Sequence, residues 1–208
     1  WSYEEEYRSI RKKILKEVDK VFSSGHLILG KNVRTLELNF SRYLKLKYGI
    51  GVNSGTDAIQ IALMSAKIGR DDEVITVPNT AVPTVSAIVS CGTKPVFVDI
   101  NKDDYLIDVN KIEEVINKKT KAIIPVNLYG QCADYDKILT IAKKNKLLVI
   151  EDCAQSVGSF YKSKPSGSFG HISAFSFYPT KNLGAYGDGG FIGTSIKKYA
   201  DKATELRK

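Results

Sequence analysis

Short apolar runs alternate with helical segments along most of the chain, and this alternation limits the folds available to it. The apolar runs cover residues 48–52, 73–77, 95–98, 122–126, 147–150, 172–177 and 190–194. Helices are predicted between them over residues 56–68, 80–91, 109–117 and 135–144. Strands that alternate with helices form a mainly parallel sheet covered on both faces. The sequence therefore predicts an α/β fold with a mainly parallel seven-stranded sheet between helices.

The last two predicted strands depart from this pattern. Only a glycine-rich loop separates residues 172–177 from residues 190–194. A parallel pair needs a longer crossover than such a loop provides. We therefore expect at least one of the two strands to run antiparallel or to lie at an edge.

Two amphipathic helices are predicted before the first strand. One covers residues 3–22, and the other places Val33, Leu36, Phe40, Tyr43 and Leu44 on one face. The 208 residues, 43% of them hydrophobic, suffice for one substantial core but are short for two full domains. We expect residues 1–208 to comprise an N-terminal segment and one large domain.

Charge and hydropathy argue against nucleic-acid binding and membrane insertion. The formal net charge is +8, but the basic residues are spread over helix faces and form no dense tract interleaved with aromatic residues. No apolar run approaches the roughly twenty residues of a membrane span. The charged N-terminus does not resemble a signal peptide. We predict a soluble, cytoplasmic protein.

Cysteine and histidine usage does not favour a metal site. Cys91, Cys132 and Cys153 are far apart and form no Cys-x-x-Cys pair, which also argues against a disulfide framework. Only two histidines are present, His26 and His171. We predict no bound metal.

The first candidate site is Ser54-Gly55-Thr56, which joins the strand at 48–52 to the next helix. Ligands of open α/β sheets collect at the carboxyl ends of strands. Glycine permits close approach, and the free N–H groups at a helix start bind anions such as phosphate. The alternative is an ordinary helix cap formed by Ser54 or Thr56.

The second candidate is Asp152, which follows Glu151 at the end of the strand at 147–150. A desolvated acid here could keep a pyridine nitrogen protonated, which makes the ring an electron sink. Gln155 could donate a hydrogen bond to a ring oxygen. The alternative for Asp152 is a capping or salt-bridged acid at a strand end.

The third candidate is Lys181, which follows Pro179 and precedes the turn-forming Gly184 and Gly187. An activated lysine amine can attack an aldehyde and later move a proton. A loop lysine is more often simply solvated. A phosphate cradle, a ring-nitrogen acid and a reactive amine at the edge of one sheet nevertheless indicate a pyridoxal phosphate (PLP) enzyme.

With these motifs the chain closely resembles the DegT/DnrJ/EryC1/StrS family of nucleotide-sugar aminotransferases. The resemblance is carried by residues 25–30, 51–58, 72–75, 96–99, 128–131, 151–155 and 176–190. It implies the large domain of an aspartate aminotransferase-like (fold type I) PLP-dependent transferase. The resemblance also implies that Lys181 forms the internal aldimine, that Asp152 pairs with the pyridine nitrogen and that Gln155 lies beside the ring.

The same resemblance assigns the phosphate to Gly55, Thr56 and Ser176, with Ser54 in the same cradle. Lysine at position 181 separates the chain from similar sugar 3-dehydratases, which carry histidine there. The implied reaction moves an amino group from glutamate to a keto group of a nucleotide-linked, dTDP-linked deoxy sugar. Residues 182–190 look most like members that act at sugar C3. The resemblance also implies a homodimer with shared active sites.

Some features differ from the family pattern. Ala81 stands after Thr80 where many members place an aromatic residue against the ring, and Asn127 stands where a histidine is common. Family members also continue into a small C-terminal domain, which we expect to be absent from residues 1–208. Ala81 and the expected absence of the small domain leave an alternative, a non-catalytic regulatory protein of the same fold that binds PLP or a sugar nucleotide.

Overall fold

The computed structural model describes residues 2–208, which fall into two compact units, residues 2–36 and residues 37–208. The first unit contains helix α1 (Tyr3–Ser24) and the start of helix α2 (Lys31–Tyr43). The Ser2 hydroxyl accepts the amide of Glu5 at 3.4 Å, and Gly25 ends α1 in the left-handed region at φ +69°. Both predicted N-terminal helices are confirmed.

The second unit carries the remaining elements. Its strands are β1 (Tyr48–Val52), β2 (Glu73–Thr76), β3 (Lys94–Phe97), β4 (Thr120–Ile123), β5 (Leu148–Asp152), β6 (Phe160–Tyr161), β7 (Lys164–Pro165), β8 (Ile172–Ser176) and β9 (Gly190–Thr194). Its further helices are α3 (Gly55–Ser65), α4 (Val82–Ser90), α5 (Tyr135–Asn145) and α6 (Lys197–Leu206).

Seven of these strands form one sheet in the order β1-β9-β8-β5-β4-β2-β3. The pairs from β8 through β5, β4 and β2 to β3 are parallel, whereas β9 runs antiparallel to both β1 and β8. The mainly parallel sheet and the antiparallel course of one of the last two strands are therefore confirmed. Asp152 pairs with Ala174, two residues before Ser176, so the ends of β5 and β8 lie at the same edge.

Two apolar clusters cover opposite faces of the sheet. Ile150 faces the cluster that includes residues of α3, α4 and α6, whereas its neighbour Val149 faces the cluster built with α5. In the same way, Val74 belongs to the first of these clusters and Ile75 to the second. Successive strand residues point to opposite faces, so a strand buried on both sides becomes a continuous apolar run. This is the physical origin of the runs in the sequence.

The predicted helix at residues 109–117 is wrong. The segment forms two 3₁₀ turns, Val109–Lys111 and Glu113–Val115, with the buried Ile112 between them. A 3₁₀ turn has three residues per turn, so the apolar side chains of Val109, Ile112 and Val115 align without an α-helix.

Two further elements were not predicted, the short antiparallel pair β6–β7 and helix α6. The spacing of the buried Tyr199, Ala200 and Ala203 was the available signal for α6. No helix within residues 2–208 combines the length and apolar character that a membrane crossing requires.

Candidate active site

A cavity of about 260 Å³ lies at the carboxyl ends of β5 and β8. Every predicted site residue lines it: Ser54, Gly55, Thr56, Asp152, Gln155, Ser176 and Lys181. Chain segments more than a hundred residues apart in sequence, from residue 54 to residue 181, thus meet at one edge of the sheet. Parallel strands place their carboxyl ends together, which is why such separated motifs converge.

Asp152 forms the buried floor of the cavity. It is the last residue of β5 and is 3% exposed. Its Oδ2 accepts a hydrogen bond from Thr84 Oγ1 at 2.7 Å, and its Oδ1 accepts the amide of Ala154 at 3.1 Å. Burial raises the pKa of Asp152, while these two donors and the positive charge of Lys181 act in the opposite direction. The site holds a desolvated carboxylate close to a lysine.

Thr84 was not identified from the sequence. It lies in the first turn of α4, is 2% exposed, and its Oγ1 is also 2.7 Å from Oγ1 of Thr80. Two threonines four residues apart at a predicted helix start were the only signal. Threonine is too common for that spacing to indicate a contact with an acid on another strand.

The start of α3 also lines the cavity. Ser54 caps this helix, because its Oγ accepts the amide of Asp57 at 3.1 Å. For the amides of Gly55 and Thr56 the structure gives no acceptor within residues 2–208. A side chain at Gly55 would bring its Cβ to 2.7 Å from Cβ of Ser176, so glycine is required where α3 meets β8. The capping alternative is thus correct for Ser54, and two N–H donors remain for an anion.

Gln155 is oriented by the backbone. Its Oε1 accepts the amide of Tyr129 at 3.1 Å, and Tyr129 lies in the left-handed region at φ +55°. Because the Tyr129 N–H binds the oxygen of the Gln155 side-chain amide, the Nε2 group of Gln155 is left to donate to another acceptor.

Lys181 belongs to a tightly folded loop. Its amide donates to the carbonyl of Tyr178 at 2.8 Å, and the amide of Ala185 donates to the carbonyl of Phe177 at 2.7 Å. A Cβ at Gly184 would lie 2.3 Å from the carbonyl oxygen of Pro179, so only glycine allows this fold. Asp188, from the same loop, also lines the cavity.

The sequence of this site and its surroundings matches a known family over residues 8–208, the DegT/DnrJ/EryC1/StrS aminotransferase family. The chain belongs to this family. The resemblance inferred from the motifs and the expected fold class are both confirmed.

Individual relatives give the same picture. The dTDP-3-amino-3,4,6-trideoxy-alpha-D-glucose transaminase of Micromonospora megalomicea subsp. nigra is 47% identical over all of this chain and 55% of its own length. A pleiotropic regulatory protein of Geobacillus stearothermophilus is 46% identical over 98% of this chain and 55% of its own length. The chain therefore spans about half the length of these relatives.

Solved structures share the fold. The crystal structure of Ntda from Bacillus subtilis, with bound cofactor PMP, superposes with a TM-score of 0.89 at 37% identity. The match covers 94% of this chain and 44% of that chain.

Two positions that differ from the common family pattern have distinct surroundings. Ala81 lines the cavity. Asn127 is fully buried outside it, where its Nδ2 donates to Ser166 Oγ at 2.9 Å and its Oδ1 accepts from the amide of Ala133 and the hydroxyl of Tyr135. Asn127 is therefore a structural residue in this member of the aminotransferase family.

Proposed function

We propose that this protein is a PLP-dependent aminotransferase that moves an amino group from glutamate to a keto group of a nucleotide-linked sugar. We further propose a dTDP-linked deoxy sugar aminated at C3. The observation that carries the proposal is the placement of Asp152, Lys181 and the start of α3 around one cavity. The activity of the Micromonospora transaminase on a dTDP-linked amino sugar and the PMP bound in the Ntda structure support the proposed sugar and cofactor.

The residues of the cavity fit this cofactor. The unbonded amides of Gly55 and Thr56 suit a phosphate, the Nε2 of Gln155 suits a ring oxygen, and the buried Asp152 suits a cationic ring nitrogen. When bound, PLP supplies an electron sink for a carbanion at the carbon that carries the amino group.

Each residue then has a distinct task. Asp152 would keep the ring nitrogen protonated, because a buried negative charge favours a cationic partner. Lys181 would hold the cofactor through its Nζ amine, and as a free amine it could accept and donate a proton. The hydroxyls of Ser54, Thr56 and Ser176 join the α3 amides in holding the phosphate. We assign these roles on the geometry of the cavity and the family membership.

An absorbance experiment tests the assignment. Addition of PLP to the protein should produce a band near the edge of the visible range that is abolished in Lys181→Ala. Lys164→Ala is a matched control, because Lys164 is an exposed lysine outside the cavity. A band that persists in Lys181→Ala would refute the role of Lys181.

The regulatory alternative has one supporting observation, the name of the Geobacillus relative. The complete set of Lys181, Asp152 and the α3 cradle favours catalysis, because a protein that only binds has no need of a proton-transferring amine. Addition of glutamate distinguishes catalysis from regulation, because an enzyme converts the bound cofactor to its amine form, which absorbance spectroscopy detects. Cofactor binding without conversion would favour regulation.

We also propose a homodimer with shared active sites and a domain assignment in which residues 1–208 are the N-terminal segment and the cofactor-binding large domain. Exposed apolar side chains near the cavity support the dimer, among them Val82 at 75%, Tyr178 at 52% and Leu183 at 42% exposure. Light scattering tests the dimer, and a monomeric mass at micromolar concentration would refute it. Cytoplasmic location and the absence of nucleic-acid binding remain predictions.

A further inference from the structure

The hydroxyl of Thr84 lies between Thr80 and the buried carboxylate of Asp152. Oγ1 of Thr84 is 2.7 Å from Asp152 Oδ2 and 2.7 Å from Oγ1 of Thr80. Thr84 comes from α4, whereas Asp152 ends β5, so the contact joins residues 68 positions apart. Both partners are almost fully buried.

The charge of Asp152 fixes the direction of these hydrogen bonds. An ionised carboxylate only accepts, so Thr84 must direct its single O–H to Asp152. Thr84 Oγ1 can then only accept from Thr80, which becomes the terminal donor. Each O–H polarises the next, and such a chain stabilises a negative charge more than its last bond alone. If Asp152 were neutral, the directions could reverse.

We propose that Thr84 is a positioning residue which, through a hydroxyl relay that begins at Thr80, holds Asp152 as an oriented anion facing the cavity. The relay occupies Oδ2 and the Ala154 amide occupies Oδ1, so the carboxylate cannot rotate without losing a donor. The importance of the relay for catalysis rests on the proposed function. The relay itself is formed by residues of the protein and requires no cofactor.

The electrostatic surroundings of Asp152 are consistent with this role. Burial has the largest influence on the pKa of Asp152 and raises it. The hydrogen bond from Thr84 has the largest lowering influence, followed by the Ala154 amide and the charge of Lys181. Burial raises the pKa of the neighbouring Cys153 thiol, with further contributions from the charges of Glu151 and Asp152, so this thiol stays neutral. Thr84 is thus the principal side chain that offsets the cost of a buried charge here.

Carboxyl carbon NMR of the cofactor-free protein tests the relay directly. The Asp152 signal is assigned by its loss in Asp152→Asn and then titrated in Thr84→Val and Thr84→Ser. Valine preserves the shape of threonine without a donor, so the pKa of Asp152 should rise. Serine retains the hydroxyl and should restore the titration. An unchanged titration in Thr84→Val overturns the proposal.

A matched control is available at Thr76, a fully buried threonine at the end of β2, whose Oγ1 donates to the carbonyl of Ile124 at 3.0 Å. Thr76→Val should lose stability but leave the Asp152 titration unchanged, and an equal rise there would show a general packing effect and overturn the proposal. If Thr84→Val does not fold, Thr80→Val replaces it. That variant should raise the pKa of Asp152 in the same direction by a smaller amount, and no change would overturn the relay.

A second measurement connects the relay to the cofactor. With ¹⁵N-labelled PLP, the ring nitrogen should be protonated in the wild type and in Thr84→Ser. It should lose its proton more readily in Thr84→Val, with cofactor affinity reduced about tenfold. Failure of the wild type to bind PLP would contradict the proposed function and leave the carboxyl titration to decide the relay. Identical nitrogen signals in wild type and Thr84→Val would instead overturn the relay while the proposed function stands.

Discussion

Glu151 and Asp152 are adjacent acids at the end of one strand, yet their surroundings differ completely. Glu151 accepts three backbone amides, those of Gly167 at 2.9 Å and of Phe169 and Gly170 at 2.6 Å. Asp152 accepts one hydroxyl and one amide and lines the cavity. Successive strand residues point to opposite faces, so one acid anchors a loop while the other faces a ligand site.

The difference lies in the donors. Burial is the largest influence on both carboxyl groups and raises both pKa values, that of Glu151 to about 7. The donors to Glu151 are three backbone amides of one loop, and Glu151 does not line the cavity. One donor to Asp152 is a side-chain hydroxyl, and Lys181 lies near enough to act on its pKa. A buried acid with a raised pKa is therefore a functional candidate only when its hydrogen-bond donors leave part of the carboxylate able to contact a ligand.

The largest effect is expected from Asp152→Asn. A neutral amide does not keep a ring nitrogen protonated, so conversion of the cofactor by glutamate should slow by about a hundredfold or more. Asn can still accept from Ala154 and can donate to Thr84 if the threonine hydroxyls reverse, so the free energy of unfolding should change by less than about 1 kcal/mol. Single-turnover absorbance and urea denaturation measure the two effects. A fully active variant would contradict the role of Asp152.

Glu151→Gln is expected to lower stability and to leave cofactor binding intact, the opposite of Asp152→Asn. A glutamine places an N–H group against at least one of the three loop amides, and a buried donor left without an acceptor costs about 1–3 kcal/mol. The free energy of unfolding should fall by that amount, while the folded fraction still binds PLP. A variant as stable as the wild type would show that Glu151 does not anchor residues 167–170.

The pH dependence of stability distinguishes the same pair. The pKa of Glu151 is about 7 in the folded protein and 4.5 for the ordinary carboxyl group, so between these values the folded protein binds a proton that the unfolded chain has released. The contribution of Glu151 to stability is therefore complete below pH 4.5 and is lost as pH rises through about 7. Its total is about 3 kcal/mol. Glu151→Gln lacks this component, so its deficit relative to the wild type should be larger at pH 5 than at pH 8 in urea denaturation.

The smallest effect on catalysis is expected from Ser54→Ala, although the Ser54 side chain serves both the fold and the proposed phosphate site. Ser54→Ala removes the α3 cap and should cost about 1 kcal/mol of unfolding free energy. Ser54→Asp keeps a cap but places a negative charge at the phosphate, so stability should be retained and PLP affinity lost. Thermal unfolding and cofactor titration measure the two properties. Strong PLP binding by Ser54→Asp would place the phosphate elsewhere.

The site residues that the sequence predicted were found from their positions directly after predicted strands. Asp152, Lys181 and the Ser54-Gly55-Thr56 motif each follow a strong apolar run, and parallel strands bring such positions to one edge. Thr84 and the Tyr129 amide could not be found in this way, because they act through contacts between elements that are distant in sequence. The misassigned helix at 109–117 has a different, local origin, since an apolar spacing of three fits both an α-helix face and successive 3₁₀ turns.

The sequence by itself determined the α/β pattern, the sheet of seven strands and the residues at its carboxyl edge, because burial on two faces leaves apolar runs that local composition reveals. Only the tertiary structure decided that Asp152, and not Glu151, faces the cavity. It also decided that the side-chain hydroxyl bound to Asp152 comes from Thr84. Those features depend on strand register and on hydrogen-bond direction across packed elements, and neither quantity is encoded in the spacing of residues along one segment.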